Sequence, residues 1–186
     1  WLDVTESKRL FGSGVKIANE LRHIVREETG LTISVGVSFC KVFAKLGSDL
    51  KKPDGTTVIS YLNYPSVINA LPVEDLLYVG KATTQKLRGM GLSTIGRLAA
   101  ADDKLIIKAF GKVGETLLRY ARGFDCDPVK HMDDKREYKS IGNSSTYPED
   151  ITEYSRIERL LYVLAESVAA RLRESGQGLA DTVHLW

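Results

Sequence analysis

The chain has 186 residues, 43% hydrophobic and 27% charged, the balance of a globular protein long enough to bury a core in one large domain or two small ones. No apolar run approaches the ~20 residues of a membrane-spanning helix; two distant cysteines, Cys40 and Cys126, and three scattered histidines argue against a disulfide framework or a zinc site and fit a reducing, cytoplasmic setting. The net charge of +2 hides a gradient, zero over residues 1–76, +5 over 77–140 and −3 over 141–186, so the middle third reads as a contact surface for a polyanion or as a solvated helical surface.

In chain order, residues 1–5 (WLDVT) alternate apolar and polar and read as the second half of a strand. Ser13 caps a helix over about 14–29, with Ile17, Leu21, Ile24 and Val25 as its buried stripe and Gly30 as its stop. The β-branched run 31–37 (LTISVGV) predicts a buried strand. Ser38 precedes a second helix over about 39–51, and 56–60 (TTVIS) is another short strand. This alternation predicts a small mixed sheet with helices packed on one face. From about residue 64 the pattern is of short helical pieces separated by glycine turns, running to about 123. Residues 124–136 read as a polar linker, followed by a strand near 137–147. Asp150 and Glu153 form a capping box for a helix over about 152–174, on which Ile157, Leu160, Leu161, Leu164, Val168 and Leu172 keep helical spacing. The final residues, 179–186 (LADTVHLW), begin a further strand, so both ends look cut and a piece of a longer protein is expected.

On a helix at 39–52, Phe39, Val42, Phe43, Leu46 and Leu50 share the core face, while Lys41, Lys45 and Lys52 line one exposed edge. Pro53 disfavours helix at Lys52, which therefore leaves the helix as the turn begins. A lysine there either compensates the helix dipole or presents a mobile point charge to a phosphate. Further on, residues 77–99 read as helix, tight turn, helix. Gly80 permits close backbone approach, Lys81 and Lys86 add charge, and Thr83 caps the helix or donates to a phosphate oxygen. Glycine turns of this kind are also routine in small helical domains. Residues 110–123 contain a second, weaker candidate hairpin around Gly111 and Gly114.

The stretch 31–55 (LTISVGVSFCKVFAKLGSDLKKPDG) resembles a motif of the Y-family, lesion-bypass DNA polymerases, of the bacterial DNA polymerase IV type: a palm strand, an NK-x-x-AK helix and a KP-N/D-G turn. WLDVT is similar to the tail of the family's S-x-D-E-x-W-L-D-V-T strand, and YKSIG, 138–142, to the opening of its little-finger domain. The resemblance runs in order along essentially the whole chain. It implies an α+β architecture: a partial ferredoxin-like palm over 1–76, an all-α helix-hairpin-helix thumb over 77–123, the linker 124–136, and a truncated α/β little finger over 137–186. It implies an enzyme that adds deoxynucleotides to a primer opposite damaged template, using magnesium, with primer-template DNA, deoxynucleoside triphosphates and a sliding clamp as partners. Lys52 would contact the triphosphate. Gly80, Lys81, Thr83 and Lys86 would contact the duplex, and Lys139, Ser140 and Gly142 the template backbone.

Two positions depart from the family pattern: its helix-leading Asn is Cys40 here, and the first glycine of its hairpin G-x-G is Tyr78. The family's paired Asp-Glu and its earlier Asp would lie upstream of Trp1, and Asp3 matches a later Asp of the motif, which reads as structural or as a solvated strand residue and not as a metal ligand. Hard divalent cations need carboxylate ligands, so no catalytic or metal-binding residue is expected in this stretch, which is expected to be inactive alone. The alternative is a non-catalytic helix-hairpin-helix DNA-binding module. A cyclase-like palm would carry carboxylates on its strands, and 31–37 and 56–60 have none.

Overall fold

The structure, a computed structural model, describes residues 1–134, 138–176 and 178–185. They form two compact units, 1–129 and 130–186, with the division falling inside the polar stretch read as a linker. Residues 135 and 136 of that linker, and residues 137 and 186 of the two expected C-terminal strands, lie outside the described residues.

In the first unit a single turn of helix, α1 (Lys8–Phe11), precedes α2 (Gly14–Thr29). The Ser13 side chain accepts from the Lys16 N–H at 3.3 Å, and Gly30 ends α2 in the left-handed region at φ +70°, as expected of both residues. Strand β1 (Val35–Ser38) then pairs in parallel with β2 (Thr56–Ile59) through the crossover helix α3 (Lys41–Leu50), in the register Val35↔Thr56 to Ser38↔Ile59. Both strands are shorter than the apolar runs suggested, because each extends only as far as its partner. Residues 1–5 form no strand. Trp1 instead donates its indole N–H to the Lys41 carbonyl at 2.9 Å, and the Asp3 carboxylate accepts from the Thr5 N–H at 3.0 Å.

The helices do not share one face of this sheet. Gly36, Thr57 and Ile59 point at α3: a Cβ on Gly36 would strike the Ala44 carbonyl, and one on Gly47 would lie 3.2 Å from Ile59 and 3.6 Å from Thr57. On the opposite pleat, Val37 approaches Gly14, and Thr56 donates to Asn19 of α2 at 2.7 Å. A parallel pair needs apolar cover on both sides, which an amphipathic helix on each face supplies. The expectation of helices on one face is thus corrected.

A series of short helices follows: α4 (Tyr64–Ile68), a 3-10 turn at Val73–Asp75, α5 (Lys81–Gly89), α6 (Ile95–Ala99), α7 (Asp103–Phe110) and α8 (Lys112–Ala121). One apolar cluster runs from α3 through all of them. Val42, Phe43 and Leu46 pack into the same core as Ile68, Leu76, Leu87, Ile95, Leu98, Ile106 and Leu117. Each helix is too short to hold its shape alone, so tertiary burial carries them.

In the second unit, α9 (Tyr154–Ser175) is the one regular element among the described residues, and Gly176 closes it at φ +66°. The Asp150–Glu153 capping box does not form: the helix starts at Tyr154, which makes Glu153 the N-cap and leaves Asp150 three residues outside. The described parts of 137–147 and 179–186 form no strand, and no strand partner stands beside them. Residues 142 and 143 instead tie to α9, through Arg171 donating to the Gly142 carbonyl at 2.7 Å and Asn143 donating to Ser167 at 3.0 Å. No helix among the described residues is long and apolar enough to cross a membrane.

Candidate functional site

Helix α3 carries the first group of candidates. Its buried face is the expected one at Val42, Phe43 and Leu46, with Gly47 added. Its N-terminus lacks a cap from Cys40, whose side chain makes no capping hydrogen bond. The cap comes from elsewhere: Asp125 Oδ2 accepts from the Val42 N–H at 3.0 Å, across 83 residues of sequence. Asp125 Oδ1 is buried with no hydrogen-bond partner. Burial, with the Asp125 carboxylate nearby, pushes the Cys40 thiol up, so it stays protonated at neutral pH and is no nucleophile. The cap is testable. Asp125→Ala should lower stability by about 1 kcal/mol, the usual worth of a helix N-cap, while Asp125→Asn, which keeps an acceptor, should cost less. Urea unfolding of the two variants measures both; equal losses would contradict the capping assignment.

At the other end of α3 the chain turns through Lys51–Gly55 into β2. Lys52 leaves the helix there, as Pro53 requires, and its side chain is 63% exposed. Its ammonium lies 2.7 Å from Asp49 Oδ1, and Lys45 pairs with the other oxygen of the same carboxylate. The two lysines hold the Asp49 carboxyl below its usual range, Lys45 contributing most, so both pairs are intact at neutral pH and are lost as pH falls below that range. An exposed pair of this kind is worth little against water, so Lys52 can exchange Asp49 for another anion. Lys41, the third lysine of the predicted edge, turns away to the Pro128 carbonyl at 3.3 Å, with the Trp1 ring 6.0 Å from its ammonium.

The turn itself is anchored by residues that the sequence reading missed. Ser34 Oγ donates to the Lys51 carbonyl at 2.9 Å and accepts from the Gly55 N–H at 3.2 Å. From α2, Arg22 and Arg26 both bind the Asp54 carboxylate. Their i, i+4 spacing was the available signal, but nothing in the sequence says that α2 faces this turn. A groove of about 610 Å³, lined among others by Trp1, Cys40, Lys41, Tyr61 and Asp125, lies at the opposite end of α3 and does not include Lys52.

The second group sits on α5. Residues 81–99 do form two helices around a bend, with Gly91 at φ +80° and Thr94 capping α6 through the Arg97 N–H at 3.2 Å. Gly80 is the N-cap of α5, and a Cβ there would meet open space, so its backbone is accessible. Lys81 is exposed beside it and Thr83 is half-buried in the first turn. Lys86 is occupied: it donates to the Ala109 carbonyl and lies 4.6 Å over the Phe110 ring. Tyr78 takes φ +71°, a left-handed conformation that costs a non-glycine residue roughly 1–2 kcal/mol. The residue departs from the glycine pattern while the backbone keeps the glycine-favouring shape, and stacking on Tyr120 at 5.9 Å offsets part of the cost. Lys139 and Ser140 are exposed in the second unit, near Gly142. Among the described residues, no group of three or more His, Cys, Asp or Glu could hold a metal ion.

Two family models match the chain, both carrying the description impB/mucB/samB family: one over residues 1–49, and that of the family's C-terminal domain over residues 138–186. Among curated proteins, the chain is 52% identical over 173 residues to a DNA polymerase IV from Acetivibrio thermocellus, covering 93% of this chain and 43% of that protein. It is 42% identical over 177 residues to a DNA polymerase IV from Moorella thermoacetica, covering 95% and 44%. Among solved structures, a Y-family DNA polymerase chimera shares the fold at a TM-score of 0.74 and 24% identity, over 91% of this chain and 48% of that one. An insertion ternary complex of Dbh DNA polymerase aligns at a TM-score of 0.62 and 26% identity, over 69% and 38%. The mixed helical architecture with a small parallel sheet is therefore that of a polymerase fold. The chain belongs to the impB/mucB/samB family, whose two models together match more than half of it, and it is similar to proteins named DNA polymerase IV. It spans a little under half the length of those curated relatives.

Proposed function

We propose that this chain is the part of a translesion DNA polymerase that meets the nucleotide triphosphate and grips the primer-template duplex. The observation that carries this reading is Lys52: an exposed ammonium on an anchored turn, in a chain 52% identical to a DNA polymerase IV. In this reading residues 1–76 belong to the palm, 77–123 to a helix-hairpin-helix thumb and 137–186 to the little finger. Gly80, Lys81 and Thr83 lie along the duplex, joined by Lys86 once its ammonium leaves the Ala109 carbonyl, and Lys139, Ser140 and Gly142 lie along the template backbone.

Nucleotidyl transfer joins a primer 3′-oxygen to the α-phosphorus and releases pyrophosphate, so negative charge grows on the leaving phosphates. Lys52 neutralises that charge once its ammonium moves from Asp49 to the triphosphate, and it needs no proton transfer to do so. Divalent cations, magnesium in our reading, require a carboxylate set that the described residues do not offer. No step is therefore assigned to a metal on this chain. A sliding clamp as partner and a cytoplasmic setting follow from the same reading.

The test is single-nucleotide primer extension by the full-length polymerase that contains this chain. Lys52→Ala should raise KM for the incoming nucleotide about tenfold with a much smaller change in kcat, the worth of one charged hydrogen bond to phosphate. Lys52→Arg should recover most of it. An unchanged KM in Lys52→Ala would remove Lys52 from the nucleotide site. DNA binding with no nucleotide dependence at all would favour the non-catalytic module.

A further inference from the structure

The turn that carries Lys52 is held by a helix from the other face of the sheet. Arg22 of α2 donates through Nε to Asp54 Oδ1 at 3.0 Å, and its terminal nitrogen reaches both the same oxygen at 2.8 Å and the Asp54 backbone carbonyl. Its other terminal nitrogen donates to Thr56 Oγ1 at 3.2 Å and to Asn19 at 3.3 Å. Arg26, one helical turn on, takes the second carboxylate oxygen, Asp54 Oδ2. Asp54 itself is held at φ +54°, a shape that Asp tolerates better than most residues but does not prefer. A guanidinium that binds a residue's carboxylate and its carbonyl together fixes the orientation of that peptide, because the fork is planar and rigid.

The placement of these bonds matters. Residues 51, 54 and 55 are all anchored, by Ser34 on one side and by Arg22 and Arg26 on the other. The Lys52 side chain between them is largely exposed and meets the exposed Asp49 carboxylate, a surface pair that an anion can displace. The fold thus fixes the backbone on either side of the lysine and leaves the ammonium mobile. Arg22 and Asp54 are both largely shielded from water, with side chains 22% and 18% exposed, so this contact is firmer than the surface pair of Lys52 with Asp49.

We propose that Arg22, assisted by Arg26, is a positioning residue for the nucleotide site: by clamping Asp54 it sets the turn that presents Lys52 to the triphosphate. The proposal rests on the Lys52 reading above and extends it to a helix whose arginines are turned to Asp54 and Thr56. It differs from a purely structural role, in which the arginines only fasten α2 to β2. It differs equally from a direct role, in which an arginine meets the phosphates.

A double-mutant cycle in the full-length polymerase separates these cases, reading nucleotide KM and kcat by primer extension for Arg22→Gln, Lys52→Ala and the pair. Arg22→Gln should raise KM about fivefold with kcat within about twofold, and add less than about 1.5-fold to KM in the Lys52→Ala background. Arg22→Lys keeps the charge but not the fork and should leave KM raised. Arg26→Gln, on the more exposed arm, should raise KM about twofold and carries the cycle if Arg22→Gln does not fold, as judged by urea unfolding. Unchanged KM in folded Arg22→Gln, or a full multiplicative effect on top of Lys52→Ala, overturns the positioning role while leaving Lys52 in place. Unchanged KM in Lys52→Ala overturns both.

Discussion

Gly36→Ala should destabilise the first unit by about 3 kcal/mol or more, beyond the usual cost of an overpacked core. An added Cβ at this position would stand 1.9 Å from the Ala44 carbonyl oxygen and 2.7 Å from the Ser48 nitrogen. Both are backbone atoms in the middle of α3, so no side chain can rotate away to make room. Either α3 lifts off the sheet or β1 loses its register with β2. Gly47 on the facing helix provides the control. A Cβ there meets the mobile end of Ile59 at 3.2 Å and the Gly36 Cα at 3.3 Å. Gly47→Ala also gains up to about 1 kcal/mol of helix propensity, so it should stay within about 1 kcal/mol of the parent. Urea unfolding of the two variants reads the difference, and a Gly36→Ala loss below about 1 kcal/mol would mean that strand and helix are not this close.

Phe43→Ala should cost about 4 kcal/mol, within the range for a fully buried aromatic ring. Phe43 is 0% exposed and meets Phe39 edge-on at 5.7 Å and Tyr64 in a stack at 5.6 Å. Gly123, after α8, lies against the ring so closely that a Cβ there would be 2.8 Å from Cε2. The ring therefore joins the β1–α3–β2 layer to the end of the helical segment. If residues 1–129 unfold as one cooperative body, this substitution should shift the whole transition and leave its steepness unchanged. A biphasic curve, with the helical segment melting separately, would show that Phe43 does not join the two. Through α3 the same ring also bears on the turn, because the helix that it docks ends at Leu50, two residues before Lys52.

Local signals identified what local physics controls. Ser13 and Gly30 bounded α2 to the residue, and the apolar spacing of Val42, Phe43 and Leu46 picked the buried face of α3. Pro53 placed Lys52 outside the helix. Strands fared worse. WLDVT has the right alternation, yet a strand is a relation between two segments, and residues 1–5 have no partner here. The same reason accounts for the described residues of 137–147 and 179–186. The capping box at Asp150 failed because the helix began one turn later than its residues implied. Lys86, read as a free charge for DNA, is held by the Ala109 carbonyl and the Phe110 ring, a contact set by how α5 packs on α7.

The amino-acid sequence alone determined the family, the helices with strong caps and the lysine at the turn, since each depends on neighbours within a few residues. Only the tertiary structure decided that helices cover both faces of the sheet, that Asp125 caps a helix begun 84 residues earlier, and that Arg22 and Arg26 clamp the turn of Lys52. Those contacts join groups distant along the chain, and a chain records no distance between them until its apolar faces have been buried together.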